Sequence, residues 1–473
     1  MPASAIIERD GNIGLPARDG MPGTSKRDST GNSAAVGARN DGARNDGAQN
    51  DGAQNCNVAL VGFGTVGSSV ARILYERSNT HLRLTHVLNR NVARKKVDWL
   101  PSSVQWTENI DDVLSSNVDI VVEVMGGLQP TEDWIRRVLE SGKSVVTANK
   151  QLIAHRGPEL IALARRMKQQ IEFGASVAGG VPVISGLHEG LAGDELFKIR
   201  GILNGTCNYI LSQIEANGIP FATALREAQK LGFAEADPTE DIDGLDARAK
   251  LAILARVGLH CNVKAASIVA RSISAIDAVD FEYANQLGCT IRQISWAELK
   301  ADPKGDNLFA AVQPALVELS SPLARVEGSQ NLVMATGTYG GETVFGGHGA
   351  GGHPTAVAVV SDILAIARAK QTGMNYAVQP VERTPTVTAD FTTKHYLRFL
   401  VKDRPGIIAS LATILSQCGI NIDAVVQKPG CPKSHLPFLI TLEECKASLV
   451  EQALQQINSL DFLVQPCLHL PIL

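Results

Sequence analysis

Apolar and polar positions alternate along the chain after residue 55 in a way that predicts strands and helices in turn. The short apolar run Cys56–Val61 breaks into a glycine-rich turn, which gives way to the helical spacing of Val70, Ile73 and Leu74. The alternation continues with predicted strands at 82–88, 118–124 and 144–147 and a predicted helix at 134–141. Strands that alternate with helices predict an α/β fold with a parallel sheet and right-handed crossovers.

The pattern changes between about residues 182 and 330. Amphipathic helical stretches at 209–216, 222–231 and 245–257 are separated by loops rich in aspartate, glycine and proline, which predicts a separate α+β domain. A glycine-rich stretch at 337–352 follows and leads into a helical segment at 354–368. Its glycines indicate either backbone close to a ligand or a long loop.

The C-terminal part has the pattern of a small independent module. Predicted strands lie at 396–401, 420–427, 437–442 and 462–466, and predicted helices lie at 407–418 and 447–457. The resulting order, βαββαβ, is typical of a ferredoxin-like domain.

The first 55 residues differ from the rest. They end in a five-residue repeat that begins at Gly37, and they carry too few apolar side chains to offset the entropy of folding. We therefore expect five parts: a disordered tail at 1–55, an α/β domain at 56–185 that is completed by about 337–375, an α+β domain at 186–336, a linker at 376–390 and a C-terminal domain at 391–473.

Composition narrows the classes of function. The 473 residues are 44% hydrophobic and 19% charged, which suits about three domains with their own cores. The 44 basic and 48 acidic residues give a net charge of -4, so the chain offers no positive field to nucleic acid. Its eight cysteines form no C-x-x-C pair, and no apolar stretch of about 18 residues occurs. We expect a cytoplasmic protein with a small-molecule substrate and neither nucleic acid nor membrane as a partner.

The turn after the first strand has the pattern G-x-G-x-x-G at Gly62, Gly64 and Gly67. Between a strand and a helix, these glycines permit a tight turn and let a pyrophosphate meet the N–H groups of the helix start. The alternative is an ordinary strand-to-helix turn, but the context predicts a dinucleotide site.

The end of the second strand bears on the choice of dinucleotide. Enzymes that use NAD usually carry an acid there, whereas this chain has Asn89 and Arg90, followed by the basic residues Arg94, Lys95 and Lys96. A guanidinium pairs with the 2′-phosphate of NADP, so we expect NADP with NAD as the alternative. A solvated basic loop would give the same pattern.

Lysines and carboxylates recur at two further places. Lys150 begins a helix directly after a strand, at the edge where open α/β sheets bind ligands. Six carboxylates and one lysine fall between Glu235 and Lys250, and Asp246 shares a helix face with Lys250. The pattern indicates acids that bind a substrate ammonium beside a lysine that delivers a proton, with solvated lysines and an exposed ion pair as the alternative.

A loop at 201–210 gathers small and amide residues just before a helix. Its N–H groups could receive a substrate carboxylate. The other explanation is a helix start capped by Thr206 or Asn208.

Together these motifs resemble the homoserine dehydrogenase family over about residues 56–370. The resemblance is carried by G-F-G-T-V-G at 62–67, T-A-N-K at 147–150, N-G-T-x-N-Y-I at 204–210, A-x-x-x-G-F and D-P-x-x-D-x-x-G-x-D-x-x-x-K within 228–250, and A-G-G-x-P-T-A at 350–356. The C-terminal module, with D-R-P-G before its first helix, resembles an ACT domain, a small amino-acid-sensing module. The implied fold is a Rossmann-type domain, an α+β substrate and dimerisation domain, and an ACT domain.

The resemblance implies NAD(P)-dependent interconversion of L-homoserine and L-aspartate 4-semialdehyde, in the biosynthesis of threonine, methionine and isoleucine. It implies a homo-oligomer and an amino-acid effector at the ACT domain, with threonine expected. Lys250 takes the role of proton donor, and Lys150 lies near substrate and nicotinamide, so we expect each lysine to lower the pKa of the other. Substrate contacts are implied for Glu235, Asp241, Asp246, Gly205 and Thr206, and cofactor contacts for Gly62, Phe63, Gly64, Thr65, Val66, Gly67, Arg90, Gly126, Lys150 and Gly349.

The family commonly also holds a structural monovalent cation, such as sodium, through a glutamate and backbone carbonyls. The carbonyls implied here are those of Val177, Gly179 and Val181, but the position of the glutamate is Gly174. Glu172, two residues earlier, would lie roughly 6–7 Å further along a strand. We expect a cation site of backbone carbonyls only.

Two other functions remain open. A related amino- or oxo-acid dehydrogenase would use the same cleft on another substrate. A non-catalytic sensor would report cofactor or amino-acid levels through the ACT domain, but it would have no need of Lys150 and Lys250 among carboxylates.

Overall fold

The computed structural model describes residues 55–77, 81–300, 305–373 and 382–473. The expected tail at 1–55 lies outside these ranges except for its last residue. Among the helices in these ranges, none combines the length and apolar composition that crossing a membrane requires.

The first part of the chain alternates between strands and helices as predicted. Its elements are β1 Cys56–Val61, α1 Thr65–Glu76, β2 Leu82–Leu88, α2 Val92–Lys95, β3 Gln105–Thr107, α3 Ile110–Leu114, β4 Ile120–Glu123, α4 Thr131–Glu140, β5 Ser144–Thr147, α5 Lys150–Arg166 and β6 Ile171–Glu172. The strands form one parallel sheet in the order β3-β2-β1-β4-β5-β6. This is the doubly wound order, and its direction reverses between β1 and β4, where such sheets bind nucleotides.

The second part is an α+β arrangement around a mixed sheet. Its elements are α6 Val183–Ser185, β7 Leu196–Ile202, α7 Gly205–Asn217, α8 Phe221–Lys230, α9 Thr239–Ile242, α10 Leu245–Leu259, β8 Val269–Ala270, α11 Ala278–Gln286, β9 Cys289–Lys300, β10 Asn307–Glu318, β11 Gln330–Gly337, β12 Gly341–His348 and α12 Gly352–Thr372. The antiparallel strands follow the order β12-β11-β7-β9-β10. The three helices predicted in this region are α7, α8 and α10.

Two apolar clusters cover the two faces of the parallel sheet, which explains why its strands are apolar throughout. On one face, α1 and α12 pack with Val58 and Leu60 of β1. On the other face, α4 and α5 pack with Ala59 and Val61, and the same cluster continues into α10. The core therefore joins the start of α5 to the start of α10, and the candidate site lies there.

The glycine-rich stretch at 337–352 is mostly a strand rather than a loop. β12 pairs with β11 along its whole length, after a turn at Gly341 with a φ of +72°. Glycines are tolerated because β12 is an edge strand with one neighbour. We expected residues 337–375 to complete the first domain. Of these, β12 lies in the second sheet, and α12 packs against the first sheet.

The C-terminal part has the predicted βαββαβ order. Its elements are β13 Thr386–Thr388, β14 Thr392–Val401, α13 Ile407–Gln417, β15 Ile422–Gln427, β16 Leu436–Lys446, α14 Ala447–Ile457 and β17 Leu468–Ile472. The order β17-β14-β16-β15 is ferredoxin-like, and β17 also pairs with β10, so the second sheet continues into this part. Of the expected linker, 382–390 is described, and β13 within it pairs with β10.

The predicted last strand at 462–466 is wrong, because the strand lies at 468–472. The earlier segment begins with a short apolar run, Phe462–Val464, and it makes a bridge between Val401 and Leu463 and a 2.8 Å hydrogen bond from Val464 N to Leu400 O. The longer pairing with β14 is formed by β17, whose inward-facing Leu470 is buried. A short apolar run at 462–464 and an alternating segment at 468–472 are both signals of a strand, so the pattern did not distinguish them.

Candidate active site

The turn between β1 and α1 is shaped to approach an anion closely. Gly62 has a φ of +105°, and a Cβ on Gly67 would lie 2.1 Å from the carbonyl oxygen of Gly62. A Cβ on Gly64 would meet nothing within 4 Å. The helix starts at Thr65 without a side-chain cap and without an acid in its first turn, so its N–H groups are available. These features fit the pyrophosphate of a dinucleotide.

The remaining cofactor residues lie around this turn. The N–H of Phe63 donates to Asn89 Oδ1 at 3.3 Å, while its ring is buried against Trp106. Arg90 is exposed, as are the basic residues at 94–96, and none of them forms a salt bridge within the described ranges. Gly126 has a φ of +80° and follows β4. Thr65 and Val66, in the first turn of α1, border the same space.

Lys150, Asp246 and Lys250 meet at the junction of the two sheets. Asp246 lies in the first turn of α10 with 4% of its side chain exposed, and Lys250 is one turn later with 13% exposed. Lys250 Nζ lies 2.8 Å from Asp246 Oδ2 and donates to the carbonyl of Leu203 at 2.8 Å. Lys150, the first residue of α5, forms an ion pair with Asp246 Oδ1 and keeps 36% of its side chain exposed. One buried carboxylate therefore holds two ammonium groups.

Asn204 holds this cluster from the other side. Its Nδ2 donates to Asp241 Oδ1 at 2.7 Å and to Asp246 Oδ2 at 2.9 Å. Its Oδ1 accepts from the N–H of Cys207 at 2.8 Å, so Asn204 caps α7. The cap is therefore neither Thr206 nor Asn208.

The charges of the cluster depend on one another. Burial would raise the pKa of the Asp246 carboxyl, but Lys250 and Lys150 outweigh it and hold the pKa below its usual range. Burial, aided by the charge of Asp246, raises the pKa of Asp241 despite the hydrogen bond from Asn204.

The pKa of Lys150 is raised, although we expected each lysine to lower the pKa of the other. Burial lowers the pKa of Lys150, but the attraction of Asp246, reinforced by Asp241 and Glu240, exceeds this effect and raises it. The expectation fails for Lys150 because Asp246 lies between the two ammonium groups.

The other substrate residues lie near α7 without joining the cluster. Thr206 Oγ1 donates to the carbonyl of Phe233 at 2.7 Å, and a Cβ on Gly205 would lie 2.6 Å from the carbonyl oxygen of Ser329. Glu235 is exposed, and its side chain makes no hydrogen bond or ion pair within the described ranges. Asn208 is structural, because its Nδ2 donates to the carbonyls of Val326 and Gly328.

Comparison with known proteins gives this arrangement a family. A family model described as homoserine dehydrogenase matches residues 182–364, and one described as homoserine dehydrogenase, NAD binding domain, matches residues 62–174. The homoserine dehydrogenase of Bacillus subtilis is 36% identical over 415 residues, which cover 85% of this chain and 95% of that protein. The chain belongs to the homoserine dehydrogenase family. That of Corynebacterium glutamicum is 38% identical over 432 residues, with the same coverage of 85% and 95%.

Solved homoserine dehydrogenases share the fold. The Thiobacillus denitrificans structure has a TM-score of 0.81 at 33% identity, covering 88% of this chain and 98% of that one. A hyperthermophilic archaeal homoserine dehydrogenase in complex with NADPH has a TM-score of 0.57 at 27% identity, covering 68% and 99%. An ACT domain model matches residues 395–462. This chain is therefore an NAD(P)-dependent homoserine dehydrogenase with a C-terminal ACT domain.

The loop that would hold the family's monovalent cation packs against the end of β12. Gly180 N donates to the carbonyl of His348 at 3.1 Å, and a Cβ on Gly179, whose φ is +45°, would lie 2.6 Å from the carbonyl oxygen of Gly349. Gly349 thus lies against the loop that contains Val177 and Val181. Within the described ranges, no three histidine, cysteine, aspartate or glutamate side chains group as metal ligands.

A carboxylate nevertheless lies beside Gly174, where the family's glutamate is missing. Asp362 of α12 accepts from the N–H of Gly174 at 2.8 Å, and its Oδ1 lies 2.8 Å from where a Cβ on Gly174 would be. Burial, and then the charge of Glu172, raises the pKa of Asp362 to about 8. The carboxyl group beside Gly174 therefore comes from α12 and not from the loop itself.

Sequence reasoning missed the contacts of Asn204 with Asp241 and Asp246 and the contact of Asp362 with Gly174. Asn204 stands directly before the first helical residue, and an asparagine at that position is a cap signal that was available. Asp362 gave no such signal, because only the packing of α12 brings it to Gly174.

Proposed function

We propose that the enzyme interconverts L-aspartate 4-semialdehyde and L-homoserine, with NADP(H) preferred, on the route from aspartate to threonine, methionine and isoleucine. The observation that carries the proposal is the convergence of Lys150 and Lys250 on the buried Asp246 at the junction of the two sheets. The proposed division of labour is nucleotide binding by 56–185, substrate binding by 186–336 and regulation by 391–473.

The bound dinucleotide supplies the hydride for reduction of the aldehyde. Lys250 holds a proton on Nζ and gives it to the oxygen on which negative charge develops. Asp246 contacts the ammonium groups of both lysines and orients them, which replaces solvent reorganisation with a fixed geometry. Asp241 and Glu235 bind the substrate ammonium, and the N–H groups of the first turn of α7 receive the substrate carboxylate.

A substrate panel tests this proposal directly. The full-length enzyme is assayed for NADPH oxidation with aspartate 4-semialdehyde and with a series of 2-oxo acids. The proposal predicts turnover of the semialdehyde and little of the 2-oxo acids. Preference for a 2-oxo acid would overturn it.

The NADP preference is supported by the exposed basic residues after β2. Arg90→Glu should lower the ratio of kcat/KM for NADPH to that for NADH by about 10- to 100-fold, the loss expected for one charge-assisted hydrogen bond. Arg83→Glu, at an exposed position near the start of β2, is the matched control and should leave the ratio unchanged. An unchanged ratio in Arg90→Glu would remove Arg90 from the phosphate site.

The ACT domain supports regulation by an end-product amino acid, with threonine as the proposed effector. Threonine should inhibit the full-length enzyme, whereas methionine and isoleucine should inhibit it less at equal concentration. Inhibition by another amino acid alone would reassign the effector.

A monovalent cation on the carbonyls of Val177, Gly179 and Val181, with the Asp362 carboxylate nearby, is also proposed. Sodium should raise the thermal unfolding temperature of wild type more than that of Asp362→Asn, with choline chloride as the control for ionic strength. Equal shifts in both proteins would exclude Asp362 from the site.

We propose a cytoplasmic homo-oligomer. All eight cysteines are free thiols, which suits a reducing compartment. Light scattering of the purified enzyme tests the oligomeric state, and a monomer would contradict it.

A further inference from the structure

Glu123 is a buried acid that the proposed chemistry does not use. It is the last residue of β4, and only 2% of it is exposed. Its neighbours in the sheet are Val61 and Thr147. Within the described ranges, no lysine, arginine or histidine lies at salt-bridge distance from it. A carboxylate without a counter-ion is costly to bury unless hydrogen bonds satisfy it.

Three donors satisfy the Glu123 carboxylate. Its Oε1 accepts from the backbone N–H groups of Met125 at 2.7 Å and Gly126 at 3.0 Å. Its Oε2 accepts from Thr147 Oγ1 at 2.6 Å. A carboxylate only accepts, so all three donors must point at it.

Thr147 links the hydrogen bonds of Glu123 to the start of α5. Its Oγ1 accepts from the N–H of Asn149 at 3.0 Å. Asn149 caps α5 by accepting from the N–H of Leu152 at 3.1 Å, and its Nδ2 donates to the carbonyl of Gly127 at 2.6 Å. The hydrogen bonds form a closed ring between the turn at 125–127 and the first residues of α5.

The turn needs such a tether. Gly126 and Gly127 are consecutive glycines with φ values of +80° and +74°, a conformation that two glycines do not maintain unaided. The turn also leaves β4 on the half of the sheet that takes the second nucleotide of a dinucleotide. On the other side of the ring, Lys150 is the residue directly after Asn149.

We infer that Glu123 is a positioning residue: it fixes the turn at 125–127 and, through Thr147 and Asn149, places Lys150 against Asp246. The inference rests on the proposed function, because the convergence of Lys150 and Lys250 on Asp246 carries that proposal. The raised pKa of Lys150, which depends on its contact with Asp246, provides a second observable.

Substitutions at Thr147 separate this role from packing. Thr147→Val keeps the shape but removes the hydroxyl that donates to Glu123 and accepts from Asn149. Thr147→Ser keeps the hydroxyl and is the conservative rescue. Ser144→Ala, at the opposite end of β5, is the matched control, since Ser144 is also buried and its hydroxyl bonds away from the site to Gln169.

Thr147→Val should lower kcat by about 10- to 100-fold, the cost of a small misplacement at a catalytic group. Its basic limb in the kcat–pH profile should move to lower pH, because a lysine displaced from Asp246 loses a proton more readily. Thr147→Ser should restore both, and Ser144→Ala should change thermal stability without moving the profile. If Thr147→Val matches Ser144→Ala in kcat and profile, the inference is overturned.

Hydrogen exchange gives a test that does not depend on the reaction. The amides of Met125 and Gly126 should exchange faster in Thr147→Val and in Glu123→Gln than in Thr147→Ser. Equal exchange in these variants overturns the inference whatever the activity. If the variants show the predicted exchange pattern but wild type does not turn over aspartate 4-semialdehyde, the result counts against the proposed function and not against the positioning role.

Discussion

Asp246 is the residue on which the candidate site depends. It is nearly fully buried, lies in the first turn of α10 and touches both lysines, so it is stabilised by two cations and by the helix N-terminus. Its low pKa and the high pKa of Lys150 describe the same attraction from its two sides. The carboxylate therefore sets the pH range over which Lys150 is cationic.

Replacing Asp246 by asparagine should move that range. Without the attraction of Asp246, burial is opposed only by the weaker attraction of Asp241 and Glu240. The pKa of Lys150 therefore falls, and the basic limb of the kcat–pH profile moves to lower pH. The measurement is kcat across roughly pH 6 to 10, below and around the usual pKa of lysine. Asp243→Asn, on the same segment but outside the cluster, should keep the wild-type limb. An unchanged limb in Asp246→Asn would contradict the account.

At this scale the sequence predicts some contacts and not others. The spacing of Asp246 and Lys250 puts them on one helix face, and the structure places their charged atoms 2.8 Å apart. The approach of Lys150 to Asp246 depends on how two sheets pack, which no local spacing encodes. The double hydrogen bond of Asn204 is a tertiary contact of the same kind, although its capping role was readable.

At the scale of elements, β17 connects the regulatory part to the rest of the second sheet. It pairs with β14, and its last residues reach β10, where Leu473 N donates to Leu316 O at 2.9 Å. Two histidine rings from these paired strands are in contact. His469 Nε2 of β17 lies 3.0 Å from His395 Nδ1 of β14, and His395 Nε2 lies 3.1 Å from the carbonyl of Cys445. His395 Nε2 donates to the Cys445 carbonyl, so the neutral His395 ring accepts at Nδ1 from His469 Nε2, and a further proton on His395 would set two N–H groups against each other. A further proton on His469 would place an N–H at its buried Nδ1, which has no hydrogen-bond partner within the described ranges.

Acid should therefore weaken this junction. Burial lowers the pKa of His395, and burial with the charges of His395 and Arg271 lowers that of His469. Below about pH 6.5 the unfolded chain binds protons that the folded chain excludes. The free energy of unfolding therefore decreases as the pH is lowered, by up to about 1.4 kcal/mol per pH unit for each histidine.

The measurement is the free energy of unfolding between about pH 5 and 7, around the usual pKa of histidine. His469→Gln should reduce the slope, and His435→Gln, at an exposed position, should not. Equal slopes in wild type and His469→Gln would show that the pair does not titrate in this range.

The elements also show where pattern fails. Most predicted helices and strands agree with the structure within a few residues, because their apolar faces pack in buried apolar clusters. The sequence pattern did not predict β12, because its glycines are uncommon in strands, although an edge strand tolerates them. The last strand was predicted at 462–466 because the apolar run there and the alternating segment at 468–472 both resemble strands, and the pairing with β14 and β10 distinguishes them.

Across the whole molecule, a buried ion pair joins the ACT part to the substrate part. Arg398 Nε lies 2.7 Å from Asp280 Oδ1, and the same oxygen accepts from Tyr396 Oη at 2.7 Å. Asp280 lies in the first turn of α11, which packs in one cluster with α7. The regulatory part therefore contacts the layer that carries Asn204 and the site.

Arg398→Met should destabilise the whole chain by about 3–5 kcal/mol, because it leaves Asp280 buried and unpaired. Arg271→Met breaks an exposed pair with Glu451 across the same junction and should cost no more than about 1 kcal/mol. Urea unfolding measures both. A small effect in Arg398→Met would mean that the two parts are held by apolar contacts alone.

The central claim is that Lys250 donates the proton in the reduction of the aldehyde. Its most direct test is the turnover of Lys250→Met in NADPH oxidation with aspartate 4-semialdehyde, with Lys230→Met as an exposed control and NADPH binding followed by fluorescence. The account predicts a loss in kcat of roughly 10²- to 10⁴-fold with nucleotide binding intact. Turnover by Lys250→Met equal to that of Lys230→Met would contradict it.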